Sequence, residues 1–319
     1  MTKKTIECNW VPSEITKDFL KNAIQTGILN GASNCRLSKG ECPPKPKDGE
    51  VVIFLDHVER GFSPPGSKFF RDLLHFYGLH PQDLSPNSIV NMSQFAVICE
   101  AYLQIEPTVL LFRECFYVNK QTETAQGRHQ ELGGVSFQKR RGVTFPGADL
   151  LSHPKGWPKS WIYCKAPVPE GEHPLPGFRP GRLDHKKKYP SRPTPTEQAE
   201  LKPWMDKISA LAANGLEGAD LIRCWLSWKI QPLSRRTRLM HEYSGLKDPQ
   251  RISATDISLS SVINQMRIIV NLPDKYTGEF GLAPFTSSNP PPAVRKLLKQ
   301  TLIFLLKPSY HENLSSDKL

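Results

Sequence analysis

Apolar positions recur at helical spacing through much of the chain, interrupted by short runs that fit strands. Ile15, Phe19, Leu20 and Ile24 fall on one side of a helix for which Ser13 is the expected N-cap and Gly27 the end. Glu50-Val-Val-Ile-Phe-Leu55 is a short apolar, β-branched run between turn residues and predicts a buried strand. Three helices are expected next. The first covers 67–77, with Phe69, Phe70, Leu73, Leu74 and Tyr77 at helical spacing and Gly78 past its C-cap. The second covers 87–103. The third begins at Pro107 and presents Val109, Leu110, Phe112, Phe116 and Tyr117. From Gly133 the helical period stops, and Val135-Ser-Phe137 and Trp161-Ile-Tyr163 read as short strands within loops. Eleven prolines between 142 and 195 preclude a long helix there. Helical periodicity returns at 197–213, 218–228, 256–270 and 293–306. The pattern predicts an α+β protein, predominantly α-helical: a helical N-terminal domain with a short strand, a Pro-rich basic middle and a smaller helical C-terminal region.

Composition changes this picture mainly through charge. In 319 residues, 42 Lys and Arg oppose 31 Asp and Glu, a net +11 that favours polyanionic partners. The N-terminal residues lack the apolar run of a secretory signal. The apolar stretch at 301–306 falls far short of the ~20 residues that span a bilayer. Seven cysteines scattered along the chain suit a reducing compartment, so an intracellular protein, nuclear or cytoplasmic, with no membrane partner is expected.

Catalytic and metal signatures are weak. Gly61-Phe-Ser-Pro-Pro-Gly66-Ser67-Lys68 reverses the Lys-Ser order of a phosphate loop, and two prolines remove N–H donors, so a turn and helix cap are expected. No nucleophile elbow, H-x-x-x-H or Cys-x-x-Cys occurs. No catalytic, cofactor-binding or metal-ligating residue is assigned, and no small-molecule substrate is expected. Asp56, His57 and Glu100 are the polar residues that an unrecognised enzyme would use, but Asp56-His57 reads better as a turn after the strand. Cys99 and Cys115 fit small core residues.

The basic segment from Lys139 to Arg192 carries more information. It holds twelve Lys and Arg against four acids, interleaved with Phe145, Trp157, Trp161, Tyr163, Phe178 and Tyr189. Cations neutralise phosphates while exposed rings stack on unpaired bases, so this composition suits single-stranded nucleic acid as well as a solvated linker. The candidate contacts are Lys139, Arg140, Arg141, Trp157, Trp161, Lys186, Lys187 and Lys188, with Arg235, Arg236 and Arg238 in a second cluster.

Several segments, taken in order, resemble the plant gypsy-type retrotransposon domain family. They are Cys8-Asn-Trp-Val-Pro-Ser13, Glu50-Val-Val-Ile-Phe-Leu-Asp-His-Val58, Phe69-Phe-Arg-Asp-Leu-Leu-His-Phe-Tyr-Gly-Leu79 and Phe95-Ala-Val-Ile-Cys-Glu-Ala-Tyr-Leu103. Trp161-Ile-Tyr163 and Gly218-Ala-Asp-Leu-Ile-Arg-Cys-Trp-Leu-Ser-Trp228 continue the likeness. The resemblance implies descent from a gag-proximal part of a mobile element and brings no catalytic residues. Together with the proline and periodicity patterns it gives the expected layout: a gypsy-type domain over 1–166 with its helical core at about 50–118, a Pro-rich basic linker over 167–195, a helical region over 196–272, and a tail over 273–319 with a possible terminal helix. The expected function is that of a retrotransposon-derived, non-enzymatic, gag-like protein that self-associates or binds RNA or DNA. The alternatives are a protein-interaction module built on the aromatic helices at 67–117, and a relic with no selected function.

Overall fold

The computed structural model describes residues 10–25, 29, 35–60, 62, 66–120, 132–152, 155–166, 171–181, 183, 187–190, 192–225 and 259–272. The elements, in order, are α1 (Lys17–Gln25), β1 (Cys35–Arg36), β2 (Glu50–Phe54), α2 (Leu55–Glu59), α3 (Lys68–Tyr77), α4 (Pro86–Val97), α5 (Val109–Cys115), β3 (Phe116–Lys120), β4 (Val135–Lys139), β5 (Trp161–Lys165), α6 (Pro195–Ala213), α7 (Gly218–Trp225) and α8 (Leu259–Ile269). A π-helical turn, Ile98–Leu103, prolongs α4. The mixed α+β class is as expected, with helices the more numerous element.

Among the described residues two antiparallel sheets form, one with strand order β1-β5-β2 and one a β3-β4 ribbon. In the first, Val52 opposes Tyr163 and Phe54 opposes Trp161. Successive strand side chains alternate in direction, and here both directions are buried. Val51, Ile53, Ile162 and Cys164 enter the main core. Val52, Phe54, Trp161 and Tyr163 instead join Trp10, Leu132 and Trp157 in a second cluster. Cys35 and Cys164 face each other on β1 and β5 with Cα atoms 4.2 Å apart and are joined as a disulfide, which the scatter of cysteines does not foretell.

Helix α3 begins and ends where its sequence directs. The Ser67 side chain accepts a hydrogen bond from the Phe70 N–H, and Gly78 closes the helix in the left-handed conformation, φ 56° and ψ 47°. Helix α4 is buried along most of its length, and its polar side chains hold the sheet ribbon and a neighbouring loop. Asn91 donates to the Phe137 carbonyl at 2.8 Å, and Gln94 accepts from the Ala148 N–H at 2.8 Å. Hydrogen bonding of this kind is what makes buried amides tolerable in a core.

Several boundaries differ from expectation. Ser13 donates to the Trp161 carbonyl at 2.6 Å, and Thr16 instead accepts from the Phe19 N–H, so α1 starts at Lys17. Thr108, not Pro107, precedes the third helix, accepting from the Leu111 N–H. That helix stops at Cys115, and Phe116 and Tyr117 lie on β3, because Phe116 packs its ring on Phe112 at 4.8 Å and Phe145 at 4.9 Å while its backbone pairs with Lys139. Asp56 and His57 sit in the short helix α2 rather than a turn. Gly27, Trp228 and the helix expected at 293–306 lie outside the described residues.

The described part of the 167–195 stretch is seated on the helical core, with Leu175 and Leu183 buried in it. Leu201 and Ile208 of α6, Leu216, and Leu221 and Cys224 of α7 belong to that same core. The helices after 195 therefore share apolar contacts with the N-terminal helices. No helix among the described residues is long and apolar enough to cross a membrane.

Candidate nucleic-acid interface

Two pieces of chain build the site: the β3-β4 ribbon and the described residues 171–181, 183 and 187–190. Ion pairs far apart in sequence fasten that segment. Arg71, only 3 % exposed, donates its Nε to the His173 carbonyl at 2.8 Å and pairs with Glu172. Asp83 pairs with Arg179, while Gln82 exchanges two hydrogen bonds with the Arg179 backbone at 2.9 and 3.0 Å. His75 stacks on His173 with ring centroids 3.8 Å apart, and a His80 ring nitrogen meets the Gly177 carbonyl at 2.6 Å.

Lys187 then crosses the C-terminal end of α3. Its Nζ donates to the Tyr77 carbonyl at 2.6 Å and the Gly78 carbonyl at 3.2 Å, where the last carbonyls of a helix lack intrahelical partners and favour positive charge. Gly78 is favoured by its positive φ; a Cβ there would also lie 2.6 Å from Lys187 Nζ, the mobile end of a long side chain that would have to shift. Lys120 of β3 donates to the Lys187 carbonyl and closes the junction between segment and ribbon.

Between them lies an open cleft of about 460 Å³. Tyr117, Val118, Lys120 and Arg140 form the ribbon side; Lys187, Lys188, Tyr189 and Pro190 form the other. Arg140 lies 5.9 Å from the centre of the Tyr117 ring, and Lys120 and Lys187 lie 5.3 and 5.5 Å from that of Tyr189. The Arg140 Nε donates to the Arg113 carbonyl at 2.8 Å, and no carboxylate among the described residues pairs with its guanidinium. Burial pushes Arg140 below the usual arginine range; Arg192 and Arg113 push it the same way, against the pull of Tyr77 and Glu114. Glu114 is already engaged, since Arg192 Nε donates to both its carboxylate oxygens at 3.0 Å. The residues lining the cleft thus include four cations, Lys120, Arg140, Lys187 and Lys188, and no carboxylate.

The structure divides the sequence-derived candidates. Arg140, Lys187 and Lys188 come together in the cleft. Lys139 and Arg141 flank it on exposed backbone at the end of β4. Trp157 and Trp161 do not join them: at 2 % and 0 % exposure both are packed in the second apolar cluster, where bases cannot reach a ring face. Phe145 and Tyr163 are likewise buried. Lys186, Arg235, Arg236 and Arg238 lie outside the described residues. Tyr117, Lys120 and Arg113 were missed, because their stretch reads as one continuing helix and only the strand pairing of 116–120 turns Tyr117 and Lys120 toward the segment.

The polar residues considered for catalysis have structural surroundings. His57, buried, contacts the Leu84 carbonyl through Nε2 at 3.1 Å and stacks on Trp157 at 5.4 Å. Asp56 lies 3.5 Å from the Arg60 guanidinium, and Glu100 sits on the π-helical turn. No group of three or more potential metal ligands occurs among the described residues. The aromatics proposed as an interaction surface at 67–117 are mostly core: Phe69, Phe70, Phe95, Phe112 and Phe116 are buried, while Phe76 is exposed with Arg113 over its ring.

No curated protein and no solved structure matches the chain. One family model does, over a span running from β2 to the end of β3 and so including Tyr117, Val118 and Lys120 of the cleft but not Arg140 or the 187–190 segment. Residues 51–120 match the model described as "Putative gypsy type transposon", and the chain therefore carries a gypsy-type transposon-related domain there.

Proposed function

We propose that this is a retrotransposon-derived, non-enzymatic, gag-like protein that binds RNA or DNA through the cleft and the cations flanking it. One observation carries the reading: Arg140 is half-buried, has no carboxylate partner among the described residues, has Arg113 and Arg192 within electrostatic reach, and lines the cleft with Lys188. An isolated solvated lysine needs no ligand, but a partly desolvated guanidinium among like charges is stabilised by an anion. Phosphate oxygens match the planar donor array of Arg. The transposon-related domain and the local excess of cations from 139 to 192 support the same choice. Self-association has no comparable feature behind it, and the interaction-module alternative loses its main argument with the burial of its aromatics.

The test is fluorescence anisotropy with a single-stranded RNA at low salt, comparing wild type with the triple variant Lys139→Ala/Arg141→Ala/Lys188→Ala. All three side chains are exposed, so folding should be preserved. The reading expects an affinity loss of at least tenfold; unchanged affinity would reject it.

A further inference from the structure

The cleft's chemistry is narrower than general nucleic-acid binding. We propose that it is a seat for a backbone phosphodiester, with Arg140 as the direct contact and Lys188 at the rim, and that it holds the strand without reading its bases. This rests on the nucleic-acid reading of the same cleft.

Three observations lead here. The first is the division of labour among the cations. Lys187 is tied to the Tyr77 and Gly78 carbonyls and Lys120 to the Lys187 carbonyl, so both shape the wall. Lys188 makes no hydrogen bond or ion pair with any described residue, and the Arg140 side chain hydrogen-bonds through its Nε alone, its guanidinium lying 5.9 Å from the centre of the Tyr117 ring. These two remain to meet an anion, and a guanidinium fork can donate two hydrogen bonds to one phosphate.

The second observation lies behind the wall. Tyr77 is 1 % exposed, its hydroxyl has no hydrogen-bond partner among the described residues, and it lies within electrostatic reach of Arg113 and Arg140. Its ring packs edge-on against Tyr189 at 6.0 Å. An unsatisfied buried hydroxyl within electrostatic reach of Arg140 marks a place where the fold leaves polar capacity unused.

The third concerns the bases. Sequence-tolerant binding that also grips bases uses open aromatic faces. In the cleft, Tyr117 carries Arg140 over its ring and Tyr189 carries Lys120 and Lys187. The tryptophans of the same basic stretch are buried. What the cleft offers is charge, and phosphate contacts position a strand without carrying sequence information.

The experiment uses the full chain, with fluorescent 20-mers of rU, rA and dT titrated across a salt series against wild type, Arg140→Gln, Lys188→Ala and Tyr117→Leu. Melting temperatures confirm that each variant folds. The proposal expects the three oligomers to bind wild type within about threefold of one another. Arg140→Gln and Lys188→Ala should each weaken all three alike and lower the log–log salt slope by about one. Tyr117→Leu should leave the ranking of the oligomers unchanged. Wild-type binding with Arg140→Gln and Lys188→Ala both matching it in affinity and slope would overturn the seat while leaving nucleic-acid binding standing elsewhere. A preference above tenfold that disappears in Tyr117→Leu would overturn base-blind binding. Failure of wild type to bind any oligomer at low salt would remove the seat and the broader reading together. Inorganic phosphate is the remaining arm: displacement of the oligomers by millimolar phosphate beyond the effect of matched ionic strength supports a single-phosphate seat. Oligomer binding that phosphate does not reduce beyond that control would overturn it.

Discussion

Adjacent lysines in the cleft have different surroundings: Lys187 Nζ is held by two carbonyls at the end of α3, whereas Lys188 is exposed at the rim. A hydrogen bond to a charged group contributes about 1.5–3 kcal/mol when sheltered and less where water competes. Lys187→Ala should therefore cost about 1 kcal/mol in thermal or urea unfolding, and Lys188→Ala should cost nothing measurable while weakening binding to RNA. Equal stability of the two variants would remove the structural role assigned to Lys187. Gly133 is a second position where one atom decides the outcome. It holds φ +67°, and a Cβ there would come within 2.4 Å of the Trp157 ring, itself fixed in the second apolar cluster. Overpacking of this kind costs about 1–3 kcal/mol, so Gly133→Ala should lower the urea midpoint clearly. Sequence alone marks Gly133 only as the point where helical periodicity ends.

At the scale of elements, β1 is held to β2 by an ion pair as well as through β5. Arg36 donates Nε to one Glu50 carboxylate oxygen at 2.7 Å and Nη2 to the other at 2.6 Å. That hydrogen bonding lowers the Glu50 carboxyl below the usual glutamate range. A carboxylate with a lower pKa when folded than when unfolded adds stability above its unfolded pKa, and this is lost as pH falls through the folded value. Melting temperature should therefore drop on acidification through and below the ordinary glutamate range. In Arg36→Gln that part of the drop should shrink; an identical acid limb in both proteins would contradict the assignment. Elements with local signals were legible: Ser67 and Gly78 bracket α3, and the apolar β-branched run at 50–54 is β2. Elements decided by distant partners were not. Phe116 and Tyr117 continue an apolar helical pattern, and only pairing with residues 138–139 makes them strand. The same limit applies to Cys35 and Cys164, whose pairing cannot be drawn from seven scattered cysteines.

For the whole molecule, the basic segment and the C-terminal helices depend on the N-terminal helices rather than standing beside them. Prolines and charge between 167 and 195 suggest a linker, yet Arg71, Asp83 and Gln82 fasten residues 172–179 to α3 and the turn after it. Proline content disfavours a helix but does not prevent an extended chain from packing. Four of the eleven sequence-derived candidates, Lys186 and the three arginines at 235–238, lie outside the described residues; two more, the tryptophans, are core. The part of the site that was legible is its charge, since runs of cations survive any fold; what was not is which of them face one another. Leu201 and Ile208 share the main core, so a fragment ending at residue 194 should lose several kcal/mol of stability and bind hydrophobic dyes. A fragment melting like the full chain would mean that the regions fold independently.

The most direct test of the account is the salt dependence of full-length protein binding to single-stranded RNA, followed by anisotropy from about 50 to 200 mM salt, a range in which proteins that contact several phosphates lose affinity steeply. A straight log–log plot with a slope of several units is expected, as cations of the cleft and its flanks displace counterions. Absence of binding at the lowest salt, or binding with a flat slope, would contradict it.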